Sequence, residues 1–537
     1  MPTLTVIIED KITQITFKPG ISVRRILEET GIWIRSGCRG NGACGLCRVK
    51  IESGTVNGLR PNERVLLPLE DLEHNVRLAC QLIPENDLSI RILNQASKNQ
   101  WRDLNPDYLT CTPANQSCIT HNNSLPKAYG LAVDIGTTNI CFSVWDLKQG
   151  KRLVSRIGQN PQCRYGSDVV TRLTAAAESM DIAADIARLP LDAVRGALRE
   201  LCLRDGLSSE DIIHISVVGN TAMMMLLTET DPLPLLQPHN WTKHIDCSLV
   251  DAKAWINLLE LHPEAKVDVI SPLAGFVGSD LLAGVIAAGM LEHPGTLLID
   301  FGTNSEMALW DGTVLRVTSA AGGPAFEGSG IKCGVPAEPG AIYQFGERPG
   351  SAEMDFQVIG GGIPKGFCGS GLIDLIASLR RSGDLSPLGK FTNQGSGESL
   401  AISACNPALK LSGSDVDLFQ RAKAAIGVGV MTLLSQSKMK LEALNSVYIS
   451  GAFGLNLNIY NAVSIGLLPD VSPRKFKLCG NTALAGCEQL LLVPEKQNEL
   501  RFLYQMSSTV NLSDLPDFDT VFLNNLYLQP QKVIINE

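Results

Sequence analysis

The chain has 537 residues, 45% of them hydrophobic and 19% charged, which is enough for two or three domains with real cores and excludes a wholly disordered protein. A formal net charge of -9 argues against nucleic acid as the main partner. No basic-then-apolar leader opens the sequence, and apolar runs such as 281–291 and 424–434 reach about half the ~20 residues that cross a bilayer, so a soluble, cytoplasmic protein without a membrane partner is expected.

The first twenty residues alternate apolar and polar positions around a polar turn and predict two short strands. Ser22 then caps a short helix that carries Val23, Ile26 and Leu27 and stops at Gly31. The next segment, GCRGNGACGLCRVKI (37–51), holds three of the chain's 15 cysteines, and a fourth follows in RLAC. Cys38, Cys44, Cys47 and Cys80 are spaced C-x5-C-x2-C-x32-C. Zinc sites pair their ligands in two short knuckles, whereas here three lie in one loop and the fourth is distant. Gly37, Gly40, Gly42 and Gly45 interleave the loop, as wrapping a cluster requires: positive φ, and N–H groups directed at sulfur. The pattern differs from the plant-type 2Fe–2S signature by one residue in the first gap. Strand, strand, helix, cysteine loop is the order of a β-grasp ferredoxin. Residues 1–91 carry 12 Lys/Arg and 11 Asp/Glu, a balance of +1 that leaves -10 for the remainder. Arg35, Arg39, Arg48 and Lys50 form a mildly basic rim, which ordinary solvated charge explains equally well.

Residues 95–127 are rich in Asn, Ser, Thr and Pro and predict a linker, with a short helix near Trp101. Cys111, Cys118 and His121 lie in it without completing a metal-binding set.

Beyond the linker, LAVDIGTTNICFSVWDL (131–147) reads as a strand, an Asp-x-Gly-Thr-Thr turn and a second strand, and TLLIDFGTNSEMALWDG (296–312) repeats that plan. In both, the glycine turn leads into a strand, unlike a dinucleotide-binding or P-loop turn that opens a helix. Asp134 and Asp300 end their strands and suit a hydrated Mg²⁺. Gly136, Thr137, Thr138 and Asn139, and likewise Gly302, Thr303 and Asn304, suit phosphate oxygens through backbone N–H and hydroxyl groups. SVYISGAFGLNL (446–457) adds a third strand followed by Gly451 and Gly454, a turn that lets an adenosine approach the backbone. Gly322 and Gly323 lie in a further glycine cluster, and Gly369, Ser370 and Gly371 precede an apolar helix, where phosphate binding and close packing both remain open. Glu306 and Glu327 are the acidic residues best placed to act near a γ-phosphate, with solvated or structural roles equally open.

These three turns resemble the phosphate-1, phosphate-2 and adenosine motifs of the actin-like ATPase superfamily. That implies an α/β fold of duplicated RNase H-like halves, here joined to an N-terminal α+β β-grasp ferredoxin, with ATP and Mg²⁺ as ligands beside the 2Fe–2S cluster. The expected division is 1–94 ferredoxin, 95–127 linker, 128–208 middle domain with the phosphate-1 motif, and 209–537 ATPase domain with the other two motifs.

The fusion itself is similar to the reductive activators of corrinoid proteins, in their ferredoxin-type branch. The likeness extends through NPQCRYGSDVVTRL (160–173), GNTAM, AGGPAFEG, CGSGLID, QRAKAAI, IGLLP and DLPDFDTVF. Ser450 departs from the double-glycine form of the adenosine turn. The resemblance implies an ATP-hydrolysing activase of anaerobic metabolism that returns Co(II) to Co(I) by one-electron transfer. Its implied partners are a corrinoid protein (a methyltransferase corrinoid subunit or a corrinoid iron–sulfur protein), an upstream electron donor and a second copy of the chain. Alternatives are an ATP-driven donor to another low-potential enzyme, or a non-catalytic ATP-binding redox sensor.

Overall fold

Strand β1 (Thr3–Ile8) pairs antiparallel with β2 (Lys11–Thr16), and its alternation sends Leu4 and Val6 into the first core, both fully buried. Ser22 caps α1 (Val23–Glu29), accepting from the Arg25 N–H at 3.4 Å. After the cysteine loop come β3 (Arg48–Val56), α2 (Pro61–Leu66), α3 (Leu69–Glu73), β4 (Val76–Leu78) and β5 (Pro84–Ile92). The sheet order is β2-β1-β5-β3-β4, with β1 and β5 parallel. Buried Glu63 ties α2 to β4: it takes Arg77 at 2.8 and 2.6 Å and the Leu78 N–H at 3.0 Å. That pair fixes the approach to Cys80. The computed structural model describes residues 1–8, 11–30, 32, 34, 40, 42–93, 101–104, 126–166, 168–320, 322–326, 330–347, 354–392, 399–402, 406, 409–451, 453 and 456–531.

The helix expected near Trp101 is instead a strand, β6 (Arg102–Asp103). Its neighbour Trp101 packs edge-on against Phe142, with ring centroids 4.9 Å apart, over the bare Cα of Gly158. An aromatic anchor of this kind outweighs the weak local preference of a polar segment.

Three antiparallel strands follow: β7 (Tyr129–Ile135), β8 (Asn139–Asp146) and β9 (Lys151–Gln159). Helices α4 (Val169–Glu178) and α5 (Met180–Asp205) cross to β10 (Ile212–Gly219), which runs parallel to β7. Then α6 (Thr221–Leu227) and α7 (Ala252–Leu259) lead to β11 (Lys266–Val269), parallel to β10. The order is β11-β10-β7-β8-β9-β6. The division expected after residue 208 therefore falls inside one sheet. Parallel pairing needs a long crossover, which α4 and α5 supply, and this welds β10 and β11 to the phosphate-1 hairpin.

Helix α8 (Ser279–Ala287) leads into the second half, where β12 (Thr296–Phe301), β13 (Ser305–Trp310) and β14 (Leu315–Ala320) repeat the three-stranded plan. An excursion follows through α9 (Gly323–Phe326), β15 (Ala341–Glu347), β16 (Met354–Val358), β17 (Gly366–Phe367), α10 (Gly369–Ser382), β18 (Ser399–Ala401) and β19 (Lys410–Ser412). The chain returns along α11 (Gly413–Gln436) to β20 (Ser446–Gly451), then α12 (Ile459–Ser464) and β21 (Phe476–Gly480). It closes with α13 (Thr482–Leu492), α14 (Pro494–Met506), β22 (Ser507–Thr509) and α15 (Phe518–Leu526). The order β21-β20-β12-β13-β14-β22 repeats that of the first sheet, strand for strand, through the first five positions. The expected duplicated fold is observed. At the junction of the halves α8 and α13 cross closely: a Cβ on Gly284 would stand 2.9 Å from the Thr482 hydroxyl.

Candidate functional site

The two Asp-Gly-Thr turns, 166 residues apart in sequence, meet at their tips, where the Thr138 and Thr303 hydroxyls stand 3.2 Å apart. The first turn is one residue longer, spanning 136–139 between paired Ile135 and Ile140, against 302–304 between paired Phe301 and Ser305. Gly136 N–H donates to the Asn139 carbonyl at 2.9 Å, and Gly302 N–H donates to the Asn304 carbonyl at 3.0 Å. A Cβ on Gly136 would lie 2.8 Å from the Asn139 oxygen, so glycine is required there. Thr138 and Asn139 are exposed, while Gly302, Thr303 and Asn304 are half-buried, so both tips remain accessible.

Behind the tips lie four carboxylates, Asp134 and Glu306 buried and Asp280 and Asp300 half-buried. Burial pushes Asp134 up to about 7, against a hydrogen bond from Asn481 at 3.2 Å, with Asp300 adding repulsion. Burial raises Asp300 to about 6, against the neighbouring Ser450 hydroxyl. Asp280, in the first turn of α8, is raised by burial and then by the charges of Asp134 and Asp300. Glu306 is raised by burial, then by Asp280 and Asp300. Asp300 and Glu306 are direct cross-strand partners, so the two carboxylates share one face of the hairpin. Among the described residues no three His, Cys, Asp or Glu side chains are placed to ligate one metal ion directly. A magnesium ion that keeps its water shell fits this donor set, because it needs carboxylates at one water's remove.

The sequence reading missed Asp280 and three asparagines. Asp280 sits in an apolar helix whose only local signal is the Gly-Ser-Asp at its start. A Cβ on Gly278 would lie 2.5 Å from Asn220 Cα, which keeps this helix start against the β10 turn. Asn160 is fully buried and donates to the Gly136 carbonyl at 2.8 Å, while its N–H donates to the Thr138 carbonyl at 2.8 Å. Asn220 donates to the Thr137 hydroxyl at 2.9 Å, and its side-chain oxygen caps α6. The motifs at 160–173 and 217–223, unplaced by pattern alone, thus brace the first hairpin.

Other expected site residues serve packing. A Cβ on Gly322 would meet the Ala422 carbonyl of α11 at 2.7 Å. Gly369 and Gly371 bring α10 against the Phe326 and Ile342 carbonyls, and the Ser370 hydroxyl donates to the Tyr343 carbonyl at 2.8 Å. Close approach accounts for this Gly-Ser-Gly. Gly323 opens α9. Gly451 ends β20 at φ +86°, the left-handed turn expected there, and Gly454, Glu327 and Cys38 lie outside the described residues.

In the first domain Cys47 is buried, and its thiol is held above the ordinary value, first by a hydrogen bond with Cys80, then by burial and the nearby Cys80 and Cys44. Gly40, Gly42 and Gly45 adopt φ of +93°, +71° and +68°. Cys44 and Cys47 in a glycine-turned loop, with Cys80 beside Cys47 from beyond β4, fit a 2Fe–2S cluster, whose ligands divide between two irons and need not meet at one.

Three family profiles match consecutive parts of the chain. Residues 6–85 match the 2Fe-2S iron-sulfur cluster binding domain, 129–293 the RACo middle region, and 295–536 the C-terminal domain of RACo, the ASKHA domain. The chain belongs to the RACo family. A relative, the corrinoid activation enzyme RamQ of Eubacterium limosum, is 29% identical over 433 residues, 76% of this chain and 72% of its own. The [Co(II) methylated amine-specific corrinoid protein] reductase of Methanosarcina barkeri is 27% identical over 430 residues, 74% and 76% of the two chains. A solved reductive activator for corrinoid, iron-sulfur protein aligns over 99% of both chains, with a TM-score of 0.65 and 26% identity. The RACo profiles place a boundary at 293/295, between α8 and β12, where one sheet gives way to the other. Among the described residues no helix is long and apolar enough to cross a membrane.

Proposed function

We propose that this chain is an enzyme that returns an inactive Co(II) corrinoid protein to Co(I), with ATP bound and hydrolysed between its two hairpins. The carrying observation is that the two Asp-Gly-Thr hairpins meet over four buried or half-buried carboxylates in the same chain as a ferredoxin fold. Its relatives, a corrinoid activation enzyme and a Co(II) corrinoid protein reductase, support the reading.

In this account Cys38, Cys44, Cys47 and Cys80 hold the 2Fe–2S cluster, which supplies a one-electron carrier when bound. Asp134 and Asp300 hold a hydrated Mg²⁺ through its waters. The Gly136–Asn139 and Gly302–Asn304 turns bind phosphate oxygens, and Gly451 admits the adenosine. Asp280 and Glu306 flank the γ-phosphate, and their raised affinity for protons suits a carboxylate oxygen that takes a proton from the attacking water. ATP has a physical task here. A plant-type 2Fe–2S centre lies near about -400 mV, and each 100 mV uphill costs about 2.3 kcal/mol per electron.

The test is anaerobic: the purified protein, a Co(II) corrinoid protein and a chemical reductant are mixed with and without ATP. The Co(I) absorption band should appear only with ATP. Bound ATP with no turnover and no Co(I) in the presence of the corrinoid protein would overturn the assignment.

A further inference from the structure

The residue after the fourth cysteine has no role in any reading so far. Gln81 is 8% exposed, and its backbone is pinned on both sides. Its N–H donates to the Leu78 carbonyl at 2.8 Å, its carbonyl accepts from Asn57 Nδ2 at 3.0 Å, and Ile83 N–H donates to Asn57 Oδ1 at 2.8 Å. The side chain turns under the cysteine loop. A Cβ on Gly42 would lie 2.6 Å from Gln81 Nε2 and 2.9 Å from Asn62 Nδ2, so the amide lies directly against the loop, whose φ of +71° at Gly42 favours glycine. From there Nε2 reaches Cys80 Sγ at 3.4 Å and the Gly40 carbonyl at 3.5 Å. Both neighbours are acceptors, and only the NH₂ end of the carboxamide satisfies them together.

We propose that the Gln81 carboxamide tunes the reduction potential of the 2Fe–2S cluster by donating a hydrogen bond to the Cys80 sulfur. The proposal rests on the cluster assignment made above and adds a residue that touches a ligand rather than the irons. Reduction adds one electron from the external reductant, with no covalent bond made or broken, and the added charge spreads onto the ligand sulfurs. A donor facing one of those sulfurs stabilises the reduced state over the oxidised state. Burial strengthens the effect, since water does not compete for Cys80 on that side. Gln81 thus holds the cluster reducible by an upstream donor and leaves the remaining uphill step to ATP.

The experiment is an anaerobic redox titration of the full-length, cluster-loaded protein, followed by visible absorption, for wild type, Gln81→Met and Gln81→Glu. Methionine keeps the length and removes the donor; glutamate keeps the shape and sets a charged acceptor against sulfur. At fixed ambient potential the reduced-to-oxidised ratio should fall roughly threefold in Gln81→Met and tenfold in Gln81→Glu, the latter about 59 mV for one electron. Midpoints unchanged in both loaded variants would overturn the proposal. Where a variant fails to load, pulsed EPR of reduced wild-type protein grown with side-chain ¹⁵N-glutamine decides: a coupling to the amide nitrogen is expected, and its absence overturns it. A wild-type chain that takes up no cluster would overturn the proposed function along with this inference, whereas a loaded cluster indifferent to Gln81 overturns only the inference.

Discussion

The two Asp-Gly-Thr hairpins are copies in topology and differ in what surrounds them. In the first, the cross-strand partner of Asp134 is Cys141, a buried thiol that stays neutral because burial and the Asp134 charge both oppose its ionisation. In the second, the partner of Asp300 is Glu306, another carboxylate. Asn160 locks the Gly136 and Thr138 carbonyls, Asn220 holds the Thr137 hydroxyl, and Asn481 orients Asp134. The second hairpin instead leaves the buried Ser305 hydroxyl without a hydrogen-bond partner among the described residues and stacks like charges that favour a bound cation. Duplication supplied two hairpins whose turns differ by one residue in length, and side-chain divergence braced the first with asparagines and gathered carboxylates on the second.

The largest expected effect tests the shared feature. Asp300→Ala should abolish ATP-dependent Co(I) formation while leaving the visible cluster spectrum intact, because the cluster loop lies in a separate sheet. Loss of both signals would indicate a folding defect, and loss of neither would remove Asp300 from the site. The equivalent cross-strand positions separate the hairpins. Glu306→Gln should slow ATP turnover by about 10²–10⁴-fold, the usual range for removing a proton acceptor, with nucleotide still bound. Cys141→Ser, the same position in the other copy, should change turnover by less than about threefold, since no proton acceptor is removed there. Comparable losses at both would mean that the hairpins are chemically equivalent.

A smaller effect is expected at the braces. Asn220→Ala frees the Thr137 hydroxyl and removes the cap of α6, so nucleotide affinity should weaken about tenfold, near 1.4 kcal/mol, with a smaller change in turnover at saturating ATP. Isothermal titration with a non-hydrolysable ATP analogue measures it, and an unchanged Kd would show that the turn keeps its shape without Asn220. These braces also mark where sequence reasoning stopped. Both Asp-x-Gly-Thr turns were legible because their chemistry is local: strand, carboxylate, glycine and hydroxyl lie within six residues. The cysteine loop was legible for the same reason. Asn160 and Asn220 reach the turn from neighbouring strands of its own sheet, Asp280 and Asn481 come from beyond it, and nothing in an apolar helix start or an isolated asparagine reports which turn it will reach. At Gly369-Ser370-Gly371, where the local pattern left phosphate binding and packing equally open, close packing is what the structure adds, since the glycines lie against the Phe326 and Ile342 carbonyls.

The smallest effect is a pH dependence shared by the two hairpins but graded between them. Asp134 and Asp300 are raised from their ordinary value of 3.8 to about 7 and about 6 in the folded chain. Between pH 4 and 7 the folded state therefore binds more protons than the unfolded one. The contribution of these groups to stability is complete below about pH 4 and is lost as pH rises through 6 and then 7. Without nucleotide the ATPase transition should shift to lower temperature across that window and level off above it. A hydrated Mg²⁺ favours the ionised carboxylates, so the stabilisation by Mg²⁺–ATP should grow from pH 5 to pH 8. Asp134→Asn should flatten the upper part of the slope and Asp300→Asn the lower part, read by thermal unfolding at matched ionic strength. If the two variants flatten the same part, the carboxylates titrate as one coupled set, and the graded difference between the hairpins is lost.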